Sequence, residues 1–236
     1  MTALPLVQLQ EVDSTQAFLL RHPELGPCAV LAGTQTAGRG RGDNTWESAP
    51  GAGLWLSVAL PTPALAPGLV LQRAMGAVAE ILQTPQVPLG LKWPNDLVAW
   101  REGHLVKLGG ILGEMREGVA GPAGSPPPSW QTILGLGVNL TAAPHLPDRP
   151  IPPACLLDLG LEPPTPLALA RRILKAWERW DRLPRPAFRW PTPGDALAWE
   201  AGQGRCTQWL EDGRLEVQTA QGLLKLSAGD VRGLKG

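Results

Sequence analysis

Two hydrophobic periods stand almost side by side in this chain, and few folds accommodate both. Leu54, Leu56, Val58 and Leu60 alternate with Trp55, Ser57 and Ala59, the two-residue period of a half-buried strand, and Pro61 stops it. A few residues on, Leu71, Met75, Val78, Ala79 and Leu82 recur at helical spacing and predict a core-facing helix over Leu69–Leu82. A strand and a helix that each carry an apolar face bury them against one another, so the expected unit is a sheet covered by helices. The flanking segments extend that pattern. Val7–Val12 reads as a strand, Asp13-Ser14-Thr15 opens a helix through Gln16–Arg21, and Ala29–Gln35 is an apolar run of strand length. Leu89–Trp93 and Leu97–Trp100 bracket the turn Pro94-Asn95-Asp96, while Lys107–Met115 and Trp130–Leu140 read as antiparallel neighbours joined by the Gly/Pro-rich connection Gly118–Ser129. Thr165-Pro166 is an N-cap followed by proline at the first helical position, and Leu167, Ala170, Leu174 and Trp177 mark the apolar face of the helix they start.

After Leu183 the pattern changes. Pro184, Pro186, Pro191 and Pro193 punctuate a linker, and short strands at Arg205–Leu210, Arg214–Thr219 and Leu223–Ser227 follow, separated by Asp212-Gly213 and Gln221-Gly222. The expected architecture is α+β: a mixed sheet with flanking helices over residues 1–183, then a linker and small β-barrel over 184–236. A chain of 236 residues has room for both.

Charge and cysteine content narrow the functional classes. Lys+Arg and Asp+Glu are equal at 21 each, so bulk charge draws neither nucleic acid nor an anionic membrane, and any anion must be held by a local basic cluster. Cys28, Cys155 and Cys206 are too few and dispersed for a disulfide framework, and three lone histidines lack zinc-ligand spacing. The N-terminus does not read as a signal peptide, and no apolar stretch reaches the roughly 18 residues of a membrane span. A cytoplasmic protein is expected.

Four segments carry candidate chemistry. In Gly33–Gly42 glycines let backbone N–H groups approach a ligand, and Arg39 and Arg41 place two guanidiniums on the same loop, suited to phosphate. A solvated basic turn is the plainer alternative. Lys92-Trp93-Pro94-Asn95-Asp96 sets a cation, an amide and a carboxylate on a stiffened turn, which is also ordinary turn chemistry. Lys107–Glu114 and Gly135–Asn139 are strands with glycines that allow a ligand, or another backbone, to lie close. Ser14 and Thr15 open a helix, where hydroxyls act first as caps.

Taken in order, Asp13-Ser-Thr15, Gln35-Thr-Ala-Gly-Arg-Gly-Arg41, Trp46, Gly53-Leu-Trp-Leu-Ser57, Lys92–Asp96, Lys107–Leu112 and Gly135–Asn139 resemble the signature series of biotin protein ligases. The β-rich tail resembles that family's C-terminal SH3-like domain. The resemblance implies an enzyme that makes biotinyl-5′-AMP from biotin and ATP with Mg²⁺, then transfers biotin to a lysine of a biotin carboxyl carrier protein. It implies that Ser14, Thr15 and Gln35 bond the ureido and ring portion of biotin. Gly38, Arg39 and Gly110 would line that pocket with backbone, and Trp46 would cover the apolar tail. Arg41 and Lys107 would contact the carboxylate and α-phosphate, with Asn95, Asp96 and Asn139 on the nucleotide side. Arg41, Lys107 and Asp96 form the implied catalytic set, and metal ligands are left unassigned. Magnesium apart, no bound prosthetic group is implied.

Two departures stand out. Gly42-Asp43-Asn44-Thr45 replaces the further Gly and Arg residues usual in the family, so Asp43 is expected to weaken retention of the adenylate. Prolines in Pro147–Leu159 stand where the family's adenine-covering loop often has an aromatic residue, so no residue is assigned there. The chain opens almost directly on Asp13-Ser-Thr15, and no operator binding is expected. Oligomeric state is left open, a homodimer included. Two other readings keep the same residues: a protein that sequesters biotin or its adenylate, and a lipoate or octanoate ligase-transferase of the same fold.

Overall fold

The computed structural model describes residues 4–42, 44–61, 65–117, 130–146, 148–178 and 188–234. Asp43, the whole Gly118–Ser129 connection, Pro147 and the linker residues Leu183, Pro184 and Pro186 lie outside them. Eight strands form the first sheet: β1 (Leu6–Val12), β2 (Ala29–Gln35), β3 (Gly53–Pro61), β4 (Leu89–Lys92), β5 (Asp96–Arg101), β6 (His104–Glu117), β7 (Trp130–Asn139) and β8 (Phe188–Trp190). Their order is β1-β2-β3-β7-β6-β5-β4-β8. Only the edge pairs β1/β2 and β4/β8 are parallel. The expected pairing of the 107–115 and 130–140 segments is present as β6/β7.

Helices α2 (Pro67–Leu82) and α3 (Pro166–Trp177) cover one face of this sheet. Met75, Val78 and Ala79 of α2 and Ile173 and Trp177 of α3 join Leu54, Leu56, Val58, Leu134, Leu136 and Val138 in one apolar core. Thr165 caps α3 as expected, its Oγ1 accepting from Ala168 N at 3.3 Å. The short helix α1 (Thr15–Arg21) lies on the other face, where Leu19 packs with Val30, Ala59 and Ile133. The half-buried strand expected at 54–60 is therefore buried on both faces. Alternation of apolar with small or aromatic residues records two covered faces here, not one wet one.

Segment 188–190 belongs to the first sheet and not to a linker, so the change of sheet falls between Trp190 and Ala196. What attaches β8 is a glycine: a Cβ at Gly90 would stand 1.5 Å from the Phe188 ring, so the ring lies directly on the β4 backbone. Gly90→Ala is expected to dislodge β8 and destabilise the protein by about 1–3 kcal/mol, the usual range for overpacking. A urea midpoint equal to that of the native chain would refute this contact.

The second sheet is antiparallel, in the order β12 (Gly222–Leu226), β11 (Leu215–Thr219), β10 (Gly202–Trp209), β9 (Ala196–Trp199), β13 (Arg232–Gly233). Three of these strands match the segments expected from the sequence; β9 and β13 are too short to show a period. Its small core of Leu197, Cys206, Leu215, Val217 and Val231 is completed by Trp93, which comes from the turn between β4 and β5. The Gly213 carbonyl accepts from Trp93 Nε1 (3.1 Å) and from Gln72 Nε2 of α2 (2.6 Å). These bonds seat the second sheet against the Lys-Trp-Pro-Asn-Asp turn. Among the described residues, no helix is long and apolar enough to cross a membrane.

Candidate functional site

The face of the first sheet opposite α2 and α3 holds a trough, and strand register builds it. Lys92, Asp96, Gly110, Gly137 and Trp55 are successive cross-strand partners on β4, β5, β6, β7 and β3. Directly paired residues share a face, so these segments, distant in sequence, form one row across the sheet. The next row contains Leu112, Gly135 and Ser57. Glycines occupy the middle of both rows and form the trough floor.

Lys107 joins this face through an irregularity. Lys107 and Gly110 are three residues apart and would point to opposite faces of a regular strand. The β5/β6 register shifts between Leu97 and Val98, making Leu108 an additional residue. This bulge turns Leu108 into the helix-side core and brings Lys107 Nζ within 2.7 Å of Asp96 Oδ1. Asp96 also faces the buried Lys92 at 3.9 Å. Arg41 reaches the same end of the trough, donating to Asn95 Oδ1 (3.3 Å) and to the Gly229 carbonyl of the second sheet's last turn (3.1 Å). Asn95 is itself fixed by donating to Ile111 O at 2.8 Å.

The other end is neutral and polar. Gln35 Oε1 accepts from Thr15 N (2.8 Å) and Thr15 Oγ1 (3.1 Å), and Gln35 Nε2 donates to Ser48 Oγ (2.9 Å). Thr15 Oγ1 lies 2.7 Å from Ser57 Oγ. Gly38 fits beside this network, where a Cβ would stand 3.2 Å from both Gln35 Nε2 and Ser48 Oγ.

The Gly-Arg segment folds back on itself as a hairpin. Trp46 N donates to Gly38 O (2.9 Å), Gly40 N donates to Asn44 O (2.8 Å), and Arg39 bridges to Thr45. Arg39 Nη1 and Nη2 bond both carboxylate oxygens of Glu114 at 3.0 and 2.9 Å, tying the hairpin to β6. Trp46 is thereby laid on the trough floor: a Cβ at Gly137 would stand 2.6–2.8 Å from its indole. Lys107 Nζ lies 5.7 Å from the same ring. Cavities of about 300 and 230 Å³ lie elsewhere, beside Trp209 and beside Leu71.

The residues expected at the site thus divide. Thr15, Gln35 and Gly38 meet at the neutral end, Arg41, Asn95, Asp96, Lys107 and Gly110 at the charged end, and Trp46 between them. Ser14 Oγ caps α1, accepting from Ala17 N at 3.3 Å. The preceding Asp13 is bonded through both oxygens to Arg21, which holds its carboxyl at about 2. Arg39 turns its side chain away to Glu114, leaving its backbone beside the trough. Asn139 donates to Ala154 O (3.1 Å) and so holds segment 152–156, whose Pro152 O and Ala154 N bond the Lys107 backbone. Sequence reading gave no role to Ser48, Ser57, Glu114 and Gly229: Ser57 and Glu114 end segments it singled out but read there as ordinary strand residues, and Ser48 and Gly229 read as ordinary turn residues. Among the described residues, no group of three or more His, Cys, Asp and Glu is placed to hold a metal ion.

Comparison with known proteins agrees with this fold. Residues 9–125 match the model of the biotin/lipoate A/B protein ligase family. A biotin–[acetyl-CoA-carboxylase] ligase of Mycobacterium tuberculosis is 37% identical over 182 residues, 71% of this chain and 60% of that protein. The bifunctional ligase/repressor BirA of Escherichia coli is 37% identical over 139 residues, 56% of this chain and 39% of its own length. The chain therefore spans less than two thirds of the length of these curated relatives. In structure it is similar to the Aquifex aeolicus biotin protein ligase solved with biotin and ATP, at a TM-score of 0.71 and 23% identity over 98% of this chain and 99% of that one. The Leishmania major biotin protein ligase solved with biotinyl-5-AMP superposes at 0.53 with 27% identity, over 95% of this chain and 99% of that one. Sequence and fold thus agree, and residues 9–125 of the chain belong to the biotin/lipoate A/B protein ligase family.

Proposed function

We propose that the protein is an ATP-dependent biotin protein ligase. One observation carries the reading: a narrow glycine-floored trough joins an uncharged hydrogen-bonding end at Thr15, Gln35 and Ser57 to a charged end at Lys107, Asp96 and Arg41. Biotin has that same polarity, with a neutral bicyclic urea, an apolar chain and a carboxylate. The carboxylate and a triphosphate repel one another, so cations at their meeting point both align and neutralise them. In the first step a carboxylate oxygen attacks the α-phosphorus, the bond to pyrophosphate breaks, and biotinyl-5′-AMP forms. In the second a lysine amine of the carrier protein attacks the acyl carbon, AMP leaves and the amine loses its proton.

Arg41 and Lys107 are assigned to the reacting carboxylate and phosphate, and Asn95, Asp96 and Asn139 to the nucleotide side. Thr15, Gln35 and the backbone at Gly38, Arg39 and Gly110 are assigned to the biotin ring, with Ser14 fixing the helix that presents Thr15. Mg²⁺ prefers one or two carboxylates plus substrate phosphates, and Asp96 is the trough carboxylate that suits an ion arriving on the triphosphate, where it would stabilise the leaving pyrophosphate. The acceptor is proposed to be a biotin carboxyl carrier protein.

Biotin-dependent exchange of pyrophosphate into ATP is expected without any acceptor protein, because activation precedes transfer. Exchange that strictly requires the acceptor, or that lipoate supports as well as biotin, would overturn the proposal. Biotin binding with no exchange would mark a sequestering protein instead.

A further inference from the structure

We propose that Arg149 binds the outer phosphates of the nucleotide, the pair that leaves as pyrophosphate. The inference rests on the biotin ligase reading and adds to it a phosphate-binding residue from a segment that carries no motif. Segment 148–154 runs from the hairpin to β6. Pro152 O accepts from Lys107 N at 2.9 Å, and Ala154 N donates to Lys107 O at 2.8 Å. Three residues before Pro152, Arg149 Nη2 donates to Asn44 Oδ1 of the hairpin at 3.0 Å. The same carboxamide donates from Nδ2 to Arg41 O at 2.8 Å. One short segment, anchored on the Lys107 backbone, thus brings Arg149 to the part of the hairpin that carries Arg41.

The charges at this end do not balance. Lys107 Nζ lies 2.7 Å from Asp96 Oδ1, and Lys92 Nζ contacts Asp230 Oδ1 at 2.5 Å and faces Asp96. Two lysines therefore meet two carboxylates. The two guanidiniums do not: Arg41 bonds an amide oxygen and a backbone carbonyl, and Arg149 bonds an amide oxygen. Neither forms an ion pair among the described residues. A guanidinium held by a neutral partner is positioned yet keeps its charge for an arriving anion, and its planar fork matches phosphate oxygens. Arg41 is half-buried and Arg149 exposed. With the α-phosphate assigned to Arg41 and Lys107, the phosphates beyond it extend towards solvent, which is the side that Arg149 occupies and the side on which pyrophosphate must depart.

The test uses the whole chain carrying Arg149→Ala or Arg149→Lys. In biotin-dependent ATP–pyrophosphate exchange, Arg149→Ala is expected to raise KM for both ATP and pyrophosphate about tenfold, the loss of one charge-assisted hydrogen bond, while KM for biotin stays level. Arg149→Lys keeps the charge and should recover most of the loss. Preformed biotinyl-5′-AMP should dissociate from Arg149→Ala at the native rate, because the adenylate no longer carries the outer phosphates. A residue that merely clasps the hairpin would speed that dissociation and weaken biotin as well. Unchanged KM for ATP and pyrophosphate, faster loss of the adenylate, or a lysine variant no better than alanine would each overturn the assignment. A native chain that supports no biotin-dependent exchange would instead defeat the ligase reading, and this inference with it.

Discussion

Arg41→Ala is expected to slow biotin-dependent ATP–pyrophosphate exchange by about two to three orders of magnitude, the range seen on removing one preorganised donor that stabilises transition-state charge. Arg41 is held by Asn95 Oδ1 at 3.3 Å and by the Gly229 carbonyl at 3.1 Å. Both partners are neutral, so the positive charge of the guanidinium remains for the negative charge that gathers between carboxylate and α-phosphate. Its side chain contributes nothing to either apolar core, so the variant should keep its urea midpoint. Arg41→Lys retains the charge but loses the planar fork, and its rate should fall between the two. Near-normal exchange by Arg41→Ala would remove this arginine from the chemistry.

The second large effect is expected at the trough floor. Gly137→Val places a branched side chain where a single Cβ already comes within 2.6–2.8 Å of the Trp46 indole. Valine suits the strand itself, since Gly137 pairs regularly with Trp55 and Gly110. The conflict therefore falls on the hairpin and on any ligand beneath it. Biotin binding should weaken about five- to more than a hundredfold, about 1–3 kcal/mol of overpacking, while the far-ultraviolet circular dichroism stays native. Binding as tight as in the native chain would mean that the ligand does not lie on this floor.

Both predictions depend on a hairpin that is itself held from outside the trough. Arg39 and Glu114 are 75 residues apart in the chain, and their two parallel bonds fix the strand that carries Trp46. Arg41 is fixed in part by Gly229, at the last turn of the second sheet. The small appended sheet thus contributes a backbone carbonyl to the charged end, although its own sequence carries no chemical signature.

Much of this was legible in the sequence because the relevant signals are local. The helices at 67–82 and 166–177 follow from spacing and from the Thr165-Pro166 start, and the two-residue period at 54–60 marks a strand wherever it is placed. The candidate segments were also readable, since glycines interrupting apolar strands and a Gly-Arg-Gly-Arg run admit ligand contact as well as packing, and their order along the chain resembles a family signature. Apart from the β6/β7 pair, what the sequence could not determine is which strands stand side by side. Lys92, Asp96, Gly110, Gly137 and Trp55 become one row only through the pairing of β4, β5, β6, β7 and β3, and pairing is a long-range choice that local periodicity does not encode. The bulge at Leu108 is equally silent, because inserting one residue changes the face of Lys107 without altering composition. Strands β8 and β9 are too short for a period and exist because Phe188 finds Gly90 and Ala196–Trp199 finds β10. Local chemistry selected the residues; register and the second sheet decided which of them meet.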